Sequence, residues 1–347
     1  MLTFAPGTQA LRCNHCGTEN QITPDASALI EELDYLKQLQ TAHTEHSGAE
    51  AIVFHCDGCG AESTLPDETT AGNCPFCGRA VVATGAAKRV IKPRSLLPFA
   101  IPKTDAKAKF ETWIGSLWFA PRKLSKQVKS DGISGVYVPA WTYDCVAATT
   151  YTGQRGTHYM VSESYTSIEN GRSVRRTRSV QRTRWNSAAG NVTDSFDDVL
   201  VLADRALPDD LRNKLSGWDL ANLTAYEDAY LSGFVAEAYQ VDLPEGFTLA
   251  QQAMQPQIQT SVRTDIGGDE QRIDDMQSQY DRITFKHILL PLWISAYRYN
   301  DKTFHFVING RTGTVFGQRP YSAIKIAATV LVVLLIVGIL VLLFTNK

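Results

Sequence analysis

The segment CDGCGAESTLPDETTAGNCPFCG, residues 56–78, contains two Cys-x-x-Cys pairs separated by fourteen residues. Pairs with this spacing form two short turns, here called knuckles, that point their sulfurs toward one metal ion. Gly60 and Gly78 each follow the last cysteine of a pair, where a left-handed backbone lets amide groups approach the sulfurs. The segment therefore predicts a zinc ribbon, which we expect to cover residues 49–91. Its predicted Zn²⁺ ligands are Cys56, Cys59, Cys74 and Cys77.

The composition of this ligand set favours a structural zinc site. All four positions are cysteine, which leaves no coordination position open for water or substrate. So short a segment buries too little apolar surface to fold alone, and bound zinc contributes on the order of 10–16 kcal/mol to such folds. A redox Cys-x-x-Cys is the alternative, and two pairs at ribbon spacing argue against it.

A third pair, Cys13 and Cys16, is also predicted to bind zinc but supplies only half of a site. The pair His43 and His46 is one source of two more ligands, and a partner chain is another. The favoured explanation is that the first knuckle would precede Leu2, because LTFAPGTQALRC resembles the hairpin that leads into a second knuckle. Residues 1–26 would then be part of a second ribbon, joined to the first by a helical linker over 27–48.

Composition sets broad limits on the fold and on the class of partner. The chain has 347 residues, enough for more than one domain, and a formal net charge of -2, which gives no global reason to bind nucleic acid. Residues 1–12 lack the basic and apolar regions of a secretory signal. In a reducing cytoplasm the three cysteine pairs are expected to bind metal rather than to form disulfides.

The C-terminal segment IAATVLVVLLIVGILVLLF, residues 326–344, predicts a transmembrane helix. Its nineteen residues carry no charge, and at about 1.5 Å per residue they cover about 28 Å, close to the thickness of the hydrocarbon core. Arg311, Arg319 and Lys325 precede the span and only Lys347 follows it. This asymmetry predicts a single-pass tail anchor over 322–347, in the inner membrane, with the bulk of the chain in the cytoplasm.

The residues between ribbon and anchor predict an α+β body over 92–320 with antiparallel strands. A proline-rich linker is expected over 92–103, before an amphipathic helix from Asp105 to Trp118. Further helices are expected over 208–215, 224–239 and 247–260, and a strand over 304–310.

One local patch in this body is strongly basic. Two β-type runs, Tyr159 to Ile168 and Arg172 to Trp185, are joined at Asn170-Gly171, a dipeptide suited to a tight turn. Alternation places Arg175 on one face of the second run and the other arginines on the opposite face. The predicted anionic contact consists of Arg172, Arg176, Arg178, Arg182 and Arg184.

Three interpretations of this arginine face remain open. It is a solvated strand partly paired with Glu163 and Glu169, a contact for anionic lipid headgroups, or a contact for nucleic acid. Membrane tethering favours lipid over nucleic acid.

An internal duplication is suggested by VYVPAWTYD at 136–144 and ILLPLWISA at 288–296. The matched positions are Pro139 with Pro291 and Trp141 with Trp293. We expect each proline at a strand start or edge and each tryptophan in the core.

Catalytic motifs are missing from the sequence. It contains no P-loop, no nucleophile elbow, no His-Glu-x-x-His and no dinucleotide fingerprint. Cys145 lies in an aromatic strand, where a buried structural thiol is expected. We therefore expect no enzymatic activity.

Several segments resemble a family of bacterial membrane-anchored proteins with TFIIB-type zinc ribbons, often catalogued as primosomal (replication restart) helicase-like. The resemblance covers nearly the whole chain, apart from the missing first knuckle. The segments on which the resemblance rests are CDGCG, CPFCG, LPFAIPK at 97–103, LWFAP at 117–121, VYVPAWTYD, TRW at 183–185, LSGFVAEAY at 231–239, FKHILLPLW at 285–293 and VINGRTG at 307–313.

This resemblance implies that the protein binds other proteins rather than catalyses a reaction. Some family members resemble components of membrane-stress systems that act with flotillin-like (SPFH) proteins and phage-shock protein A. The expected function is a non-enzymatic membrane scaffold, and the alternative is a zinc-ribbon protein that binds nucleic acid without helicase activity.

Overall fold

The computed structural model describes residues 2–23, 30–44, 49–64, 71–77, 79–82, 86–121, 132–169, 172–299 and 302–345. The strands are β1 Leu2–Phe4, β2 Ala10–Cys13, β3 Glu19–Gln21, β4 Leu33–Asp34, β5 Ala49–His55, β6 Glu62–Thr64, β7 Ala71–Asn73, β8 Ala80–Val82, β9 Ala86–Val90, β10 Ser95–Leu96, β11 Ser134–Glu169, β12 Arg172–Leu202, β13 Thr224–Ala225, β14 Val235–Glu237, β15 Glu270–Tyr299, β16 Lys302–Asn309 and β17 Val315–Gly317. The helices are α1 Tyr35–Thr44, α2 Lys103–Ser116, α3 Asp209–Arg212, α4 Leu243–Ile266 and α5 Ala323–Thr345.

Three long antiparallel strands, β12, β11 and β15, form the centre of the fold, with β11 between the other two. The β11–β15 ladder runs from Ser134 opposite Ile294 to Gly156 opposite Glu270. The β11–β12 ladder continues beyond Gly156 as far as Glu169, which lies opposite Arg172. Residues 157–169 and 172–184 therefore extend beyond the three-stranded sheet as a two-stranded arm, hereafter the arm. At about 3.3 Å per residue the arm is roughly 43 Å long.

Helix α4 covers one face of this sheet. The Asp242 carboxylate caps its first turn by accepting a hydrogen bond from the Glu245 amide at 2.9 Å, and Gly267, with φ of +64°, ends it. Its buried residues recur at helical spacing and pack against the aromatic residues of β11. They are Leu243, Gly246, Phe247, Ala250, Met254, Ile258, Val262 and Ile266.

The two repeated motifs lie on neighbouring strands and pair with each other. Val138 is opposite Leu290 in the β11–β15 ladder. The indole of Trp141 donates a hydrogen bond to the Val241 carbonyl and that of Trp293 to the Ile101 carbonyl, both at 2.9 Å. The tryptophans belong to different core clusters, so each motif anchors its own half of the core.

The prolines of these motifs are not at strand starts. Pro139 and Pro291 both lie inside long strands, and the expectation of an edge position is corrected. The carbonyl of Pro139 accepts from Ala203 and that of Pro291 from Gly310. Both donors come directly after the end of a neighbouring strand, β12 or β16, and proline itself donates no ladder hydrogen bond.

Several expected elements differ from the structure. Residues 224–239 form β13, a 3-10 turn and β14 instead of a helix, because Gly233 takes a φ of +88° and Val235–Glu237 pairs with β11. Of 208–215 only α3 is α-helical, whereas 247–260 lies inside α4 as expected. The expected linker 92–103 contains β10, and Leu96 and Phe99 are buried in the core.

Helix α5 begins beside the segment that follows α2. The Ser322 amide donates to the Phe119 carbonyl, and the Lys325 ammonium donates to the carbonyls of Trp118 and Ala120, both at 2.8 Å. The helix is long and apolar enough to span a membrane, and its most apolar window is unburied by the rest of the described chain. Trp118 and Tyr321 are exposed at its start, as aromatic residues are at membrane interfaces.

Candidate metal centre and charged arm

The four cysteines of residues 56–78 converge on one point. All four sulfurs lie within 4.8 Å of one another. The Cys56–Cys77 and Cys59–Cys74 sulfur pairs are each 3.6 Å apart, and all four thiols are free. A disulfide would need about 2.05 Å, whereas a tetrahedron with Zn–S bonds of about 2.3 Å has S–S edges of about 3.8 Å. The geometry is therefore that of a metal-binding site with four cysteine ligands.

Backbone hydrogen bonds shape both knuckles. The Cys56 amide donates to the Ala61 carbonyl at 2.9 Å, and the Cys74 amide donates to the Arg79 carbonyl at 2.8 Å. Gly60 donates its amide to Cys56 and has a φ of +77°, as the sequence predicts. Gly78 lies outside the described residues.

Contacts between the sulfurs and burial shift the pKa values of the thiols. Hydrogen bonding from Cys59 lowers the pKa of Cys74 to about 5, and the same bond raises the pKa of Cys59. Burial raises the pKa of Cys77. A divalent cation would replace these protons, because thiolates and not thiols are its ligands.

The four-cysteine cluster is joined to the body by strand pairing and by packing. Strand β6 pairs with β14, and β14 pairs with β11. Phe76, inside the second knuckle, is 1% exposed and packs in one cluster with Val136 and Leu292 of the central strands. The Gln240 side chain donates to the Gly60 carbonyl at 2.6 Å. Loss of the metal would therefore disturb the core of the body.

Two buried carboxyl groups, Glu237 and Asp204, lie in this region, and sequence reasoning missed them. Burial raises the pKa of Glu237 well above its usual value, with further contributions from Asp204 and Cys74. Burial also raises the pKa of Asp204, whose oxygens accept hydrogen bonds from the Ala206 and Leu207 amides. A neutral Glu237 suits this neighbourhood, since a second negative charge beside thiolates would be unfavourable. No sequence signal marks the pair, because its members are far apart in the chain.

The Cys13–Cys16 pair forms a knuckle of its own on the small sheet β1–β2–β3. It does not join the four-cysteine cluster. Hydrogen bonds from the Cys16 and His15 amides lower the pKa of Cys13 to about 7. The side chain of His43 and the whole of His46 lie outside the described residues, so the structure does not place that candidate ligand pair.

The arm arranges its arginines as the alternation predicts. Residues directly opposite in an antiparallel ladder point to the same face. Tyr165 is opposite Arg176, Glu163 is opposite Arg178, and Tyr159 is opposite Arg182. Arg172 and Arg184 share this face by period, whereas Arg175 lies on the other. The turn Asn170-Gly171 is outside the described residues, but the pairing of Glu169 with Arg172 on either side of it confirms the hairpin.

The arginine face is partly neutralised and partly aromatic. Glu163 accepts hydrogen bonds from Arg182 and Arg178, which hold its pKa below the usual value. The Arg184 guanidinium lies 5.2 Å from the Tyr159 ring centroid. Most arm residues are exposed on both faces. A surface of this composition suits contact with an anionic partner.

A second acidic cluster already contains a positive side chain. Asp144, Asp197 and Asp198 lie close together, and the Lys286 ammonium lies 2.8 Å from Asp198 and 3.1 Å from Glu32. Burial raises the pKa of Asp144 to about 6. This lysine gives the cluster a structural explanation without a metal ion.

Comparison with known proteins finds one similarity of note. The chain is 26% identical over 242 residues to the "Uncharacterized protein YdjG" of Bacillus subtilis (strain 168), a match that covers 69% of this chain and 67% of that protein. No family model matches the chain, and no solved structure matches it. These similarities indicate no activity for the chain.

Proposed function

We propose that the chain is a non-enzymatic zinc-ribbon adaptor, held in a bacterial inner membrane by α5 with its bulk in the cytoplasm. Zn²⁺ in the Cys56–Cys77 cluster would fix the ribbon, and the arm would dock a protein partner. The resemblance described above points to partners like flotillin-type SPFH proteins or phage-shock protein A in membrane stress or membrane organisation.

One observation carries this proposal. The four-cysteine cluster packs on the long strands β11 and β15. The segment that follows α2 shares a core cluster with the same strands through Ala120, and its carbonyls accept hydrogen bonds from the start of α5. A closed site with four cysteine ligands offers a metal no open position for chemistry, so its contribution is rigidity. A rigid body with an apolar helix at one end and an exposed charged arm at the other has the organisation of a tethered docking platform.

The position of the arm favours a protein partner over the bilayer that α5 would enter. Tyr159, opposite Arg182 near the inner end of the arginine face, lies 25 residues along β11 from Ser134, the first residue of the strand. That is a path of roughly 80 Å along the strand. Ile133, which precedes the strand, shares a core cluster with Ala120, whose carbonyl accepts a hydrogen bond from α5. Glu163 within the face would repel phosphate, whereas a protein surface can match mixed charges.

Crosslinking in intact cells tests the adaptor function. We expect a tagged full-length chain to capture a discrete protein partner and to resist extraction from membranes by carbonate. A chain lacking 322–347 should appear in the soluble fraction, and the same chain fused to an unrelated transmembrane helix should return to the membrane. Membrane retention without 322–347, or the absence of any crosslinked protein, would contradict the proposal.

A nucleic-acid-binding role is the second candidate, favoured only by the arginine face. It predicts that purified protein binds duplex or single-stranded DNA with an affinity that falls steeply with salt. Capture of a species that nuclease destroys, in the crosslinking experiment, would favour this candidate over the adaptor.

A further inference from the structure

The outer edge of β12 carries no strand along the arm. In the part of the chain that the structure describes, β12 pairs with β11 alone. Two hydrogen bonds at the root of the arm show which backbone groups face outward. The Gly156 carbonyl accepts from the Asp269 amide at 2.8 Å, and the His158 amide donates to the Asp269 carboxylate at 2.7 Å. Both residues of β11 thus turn their backbone away from β12. Because His158 is opposite Thr183, Thr183 turns its own backbone groups away from β11.

The same alternation continues along β12, since the ladder has no irregularity within the arm. Every second residue therefore presents its amide and carbonyl at the outer edge. These residues are Ser173, Arg175, Thr177, Ser179, Gln181 and Thr183. The members of the arginine face lie between them, so their side chains flank this edge on one face of the arm.

We propose that this edge binds an extended acidic segment of the protein partner, which adds to β12 as a further strand of the arm. The inference rests on the adaptor function proposed above and names the chemistry of the partner. Main-chain hydrogen bonds to the outward amides and carbonyls would hold such a segment. Directly opposed residues of neighbouring strands share a face, so acidic residues at every second position would lie beside the arginines.

The charge of the edge favours an acidic segment over a second copy of the chain. Residues 172–184 contain six arginines and no acidic residue, and all six arginines are exposed. Glu163 of β11 accepts hydrogen bonds from two of them, which leaves the arm with an excess of positive charge. Two copies joined at this edge would place arginines opposite arginines, and like charges in that position are destabilising.

The arm also has a structural reason to accept a further strand at β12. Beyond Gly156 it has only two strands, because β15 begins at Glu270, opposite that glycine. Two-stranded hairpins are marginally stable in water, and a third strand stabilises them. On the β11 side, Asp269 and Glu270 lie at the root of the arm, where they would repel an acidic segment. The outer edge of β12 is therefore the better of the two places.

Two prolines on one rung of the ladder test the position of the added strand. Ser164 of β11 and Thr177 of β12 are directly opposite, and each points its amide outward, toward opposite edges of the arm. Thr177→Pro removes a donor from the proposed edge and Ser164→Pro removes one from the other edge. Neither proline removes a donor from the β11–β12 ladder, so the two variants disturb the arm itself equally.

The probe is a fluorescein-labelled peptide of alternating threonine and glutamate, about twelve residues long to match the arm. Fluorescence anisotropy with the purified full-length chain in detergent measures its affinity. We expect Thr177→Pro to weaken binding about tenfold and Ser164→Pro to leave it unchanged. A peptide of the same composition with all glutamates in one block should bind about tenfold more weakly than the alternating peptide.

Four results would overturn the inference. Equal weakening by both prolines would remove the β12 edge as the site, and equal affinity for both peptides would reduce the contact to general charge attraction. A dimer of the unmodified chain that Thr177→Pro dissociates would make a second copy the occupant. Binding to phosphatidylglycerol vesicles or to a single-stranded oligonucleotide, without binding to either peptide, would assign the arginine face to phosphate.

The failure of this inference can be told apart from the failure of the adaptor function. If Thr177→Pro and Ser164→Pro capture the crosslinked partner in cells equally well, the added strand is wrong and the adaptor function stands. If the unmodified chain captures no protein in cells, the adaptor function fails and this inference fails with it.

Discussion

At the scale of single residues, Cys74 belongs both to the four-cysteine cluster and to the hydrophobic core. Cys74 is buried beside Phe76, in the cluster that joins the knuckles to the sheet. Its sulfur is therefore a candidate metal ligand that also lies in the core. Cys145 is also buried but lies away from the cluster, and burial raises its pKa to about 11, in agreement with the structural thiol that the sequence predicts.

Substitution of Cys74 and substitution of Cys145 should have different effects on zinc binding. The Cys74→Ser variant is expected to lose the zinc ion of the ribbon and to lower the melting temperature of the purified chain, because the three remaining thiolates bind zinc much more weakly. The matched control Cys145→Ser should retain its zinc. Metal content by atomic emission and thermal unfolding measure both effects, and equal zinc in the two variants would contradict the assignment.

His287 should make stability depend on pH. It is buried against Trp141, its Nδ1 is 2.7 Å from the Ile91 carbonyl oxygen, and burial lowers its pKa from 6.5 to about 4. Above pH 6.5 the residue is neutral in both states; below it, the unfolded chain binds a proton that the folded chain does not. His287 therefore lowers the free energy of unfolding by about 1.4 kcal/mol per pH unit as the pH falls from about 6.5 toward about 4.

The variant His287→Asn keeps a donor for the carbonyl but does not titrate. Urea unfolding at about pH 7.5 and about pH 5.5 should show a smaller loss of stability for this variant than for the unmodified chain, by about 1.4 kcal/mol. Identical losses in the two proteins would mean that His287 is not buried in its neutral form.

The metal ligands could be predicted from sequence because ligand spacing is a local constraint. Two residues between cysteines and fourteen between pairs are enough to bring four sulfurs together. The contacts around the site could not be predicted in this way. Phe76 packs on strands that lie 60 or more positions later in the chain, and Glu237 meets Asp204 only through the fold.

At the scale of elements, the arm offers an internal control for charge. Arg178 and Arg175 lie on opposite faces of the same exposed strand. Arg178→Glu should weaken capture of the protein partner about tenfold, equivalent to about 1.4 kcal/mol, because it also leaves Glu163 facing a like charge. Arg175→Glu changes the net charge equally and should leave capture unchanged. Quantitative crosslinking measures both, and equal losses would indicate a general charge effect.

Element lengths were the least predictable feature of the fold. The sequence predicts β-runs of ten and fourteen residues, whereas β11 and β12 have 36 and 31. Their middle sections, such as Ala147 to Thr150 and Ser187 to Asn191, are small and polar and lack a clear apolar alternation. These sections are strands because they pair with neighbours and because α4 covers one face of the sheet.

At the scale of the whole molecule, ribbon and body should unfold together. The knuckles share a hydrophobic cluster with β11 and β15, and β6 belongs to the same sheet. Removal of zinc by a strong chelator should therefore lower the melting temperature of the body and preserve a single transition. Near-ultraviolet circular dichroism of the buried tryptophans measures the unfolding of the body. Two separate transitions, with that signal unchanged by chelation, would show that the ribbon is an independent unit.

The length of the continuous strand β11 sets how far the arm extends from the body. One strand runs from the body to Glu169 at the outer end of the arm, so the reach of the arm from the body is set by a count of paired residues. Removing two opposed residues from each strand of the arm would shorten it by about 6.6 Å and keep every arginine on its face, since side chains alternate with a period of two. Removing one residue from each strand of the arm would change its length little, but it would turn the arginines beyond the deletion to the opposite face. Reach and orientation can thus be varied independently in this molecule.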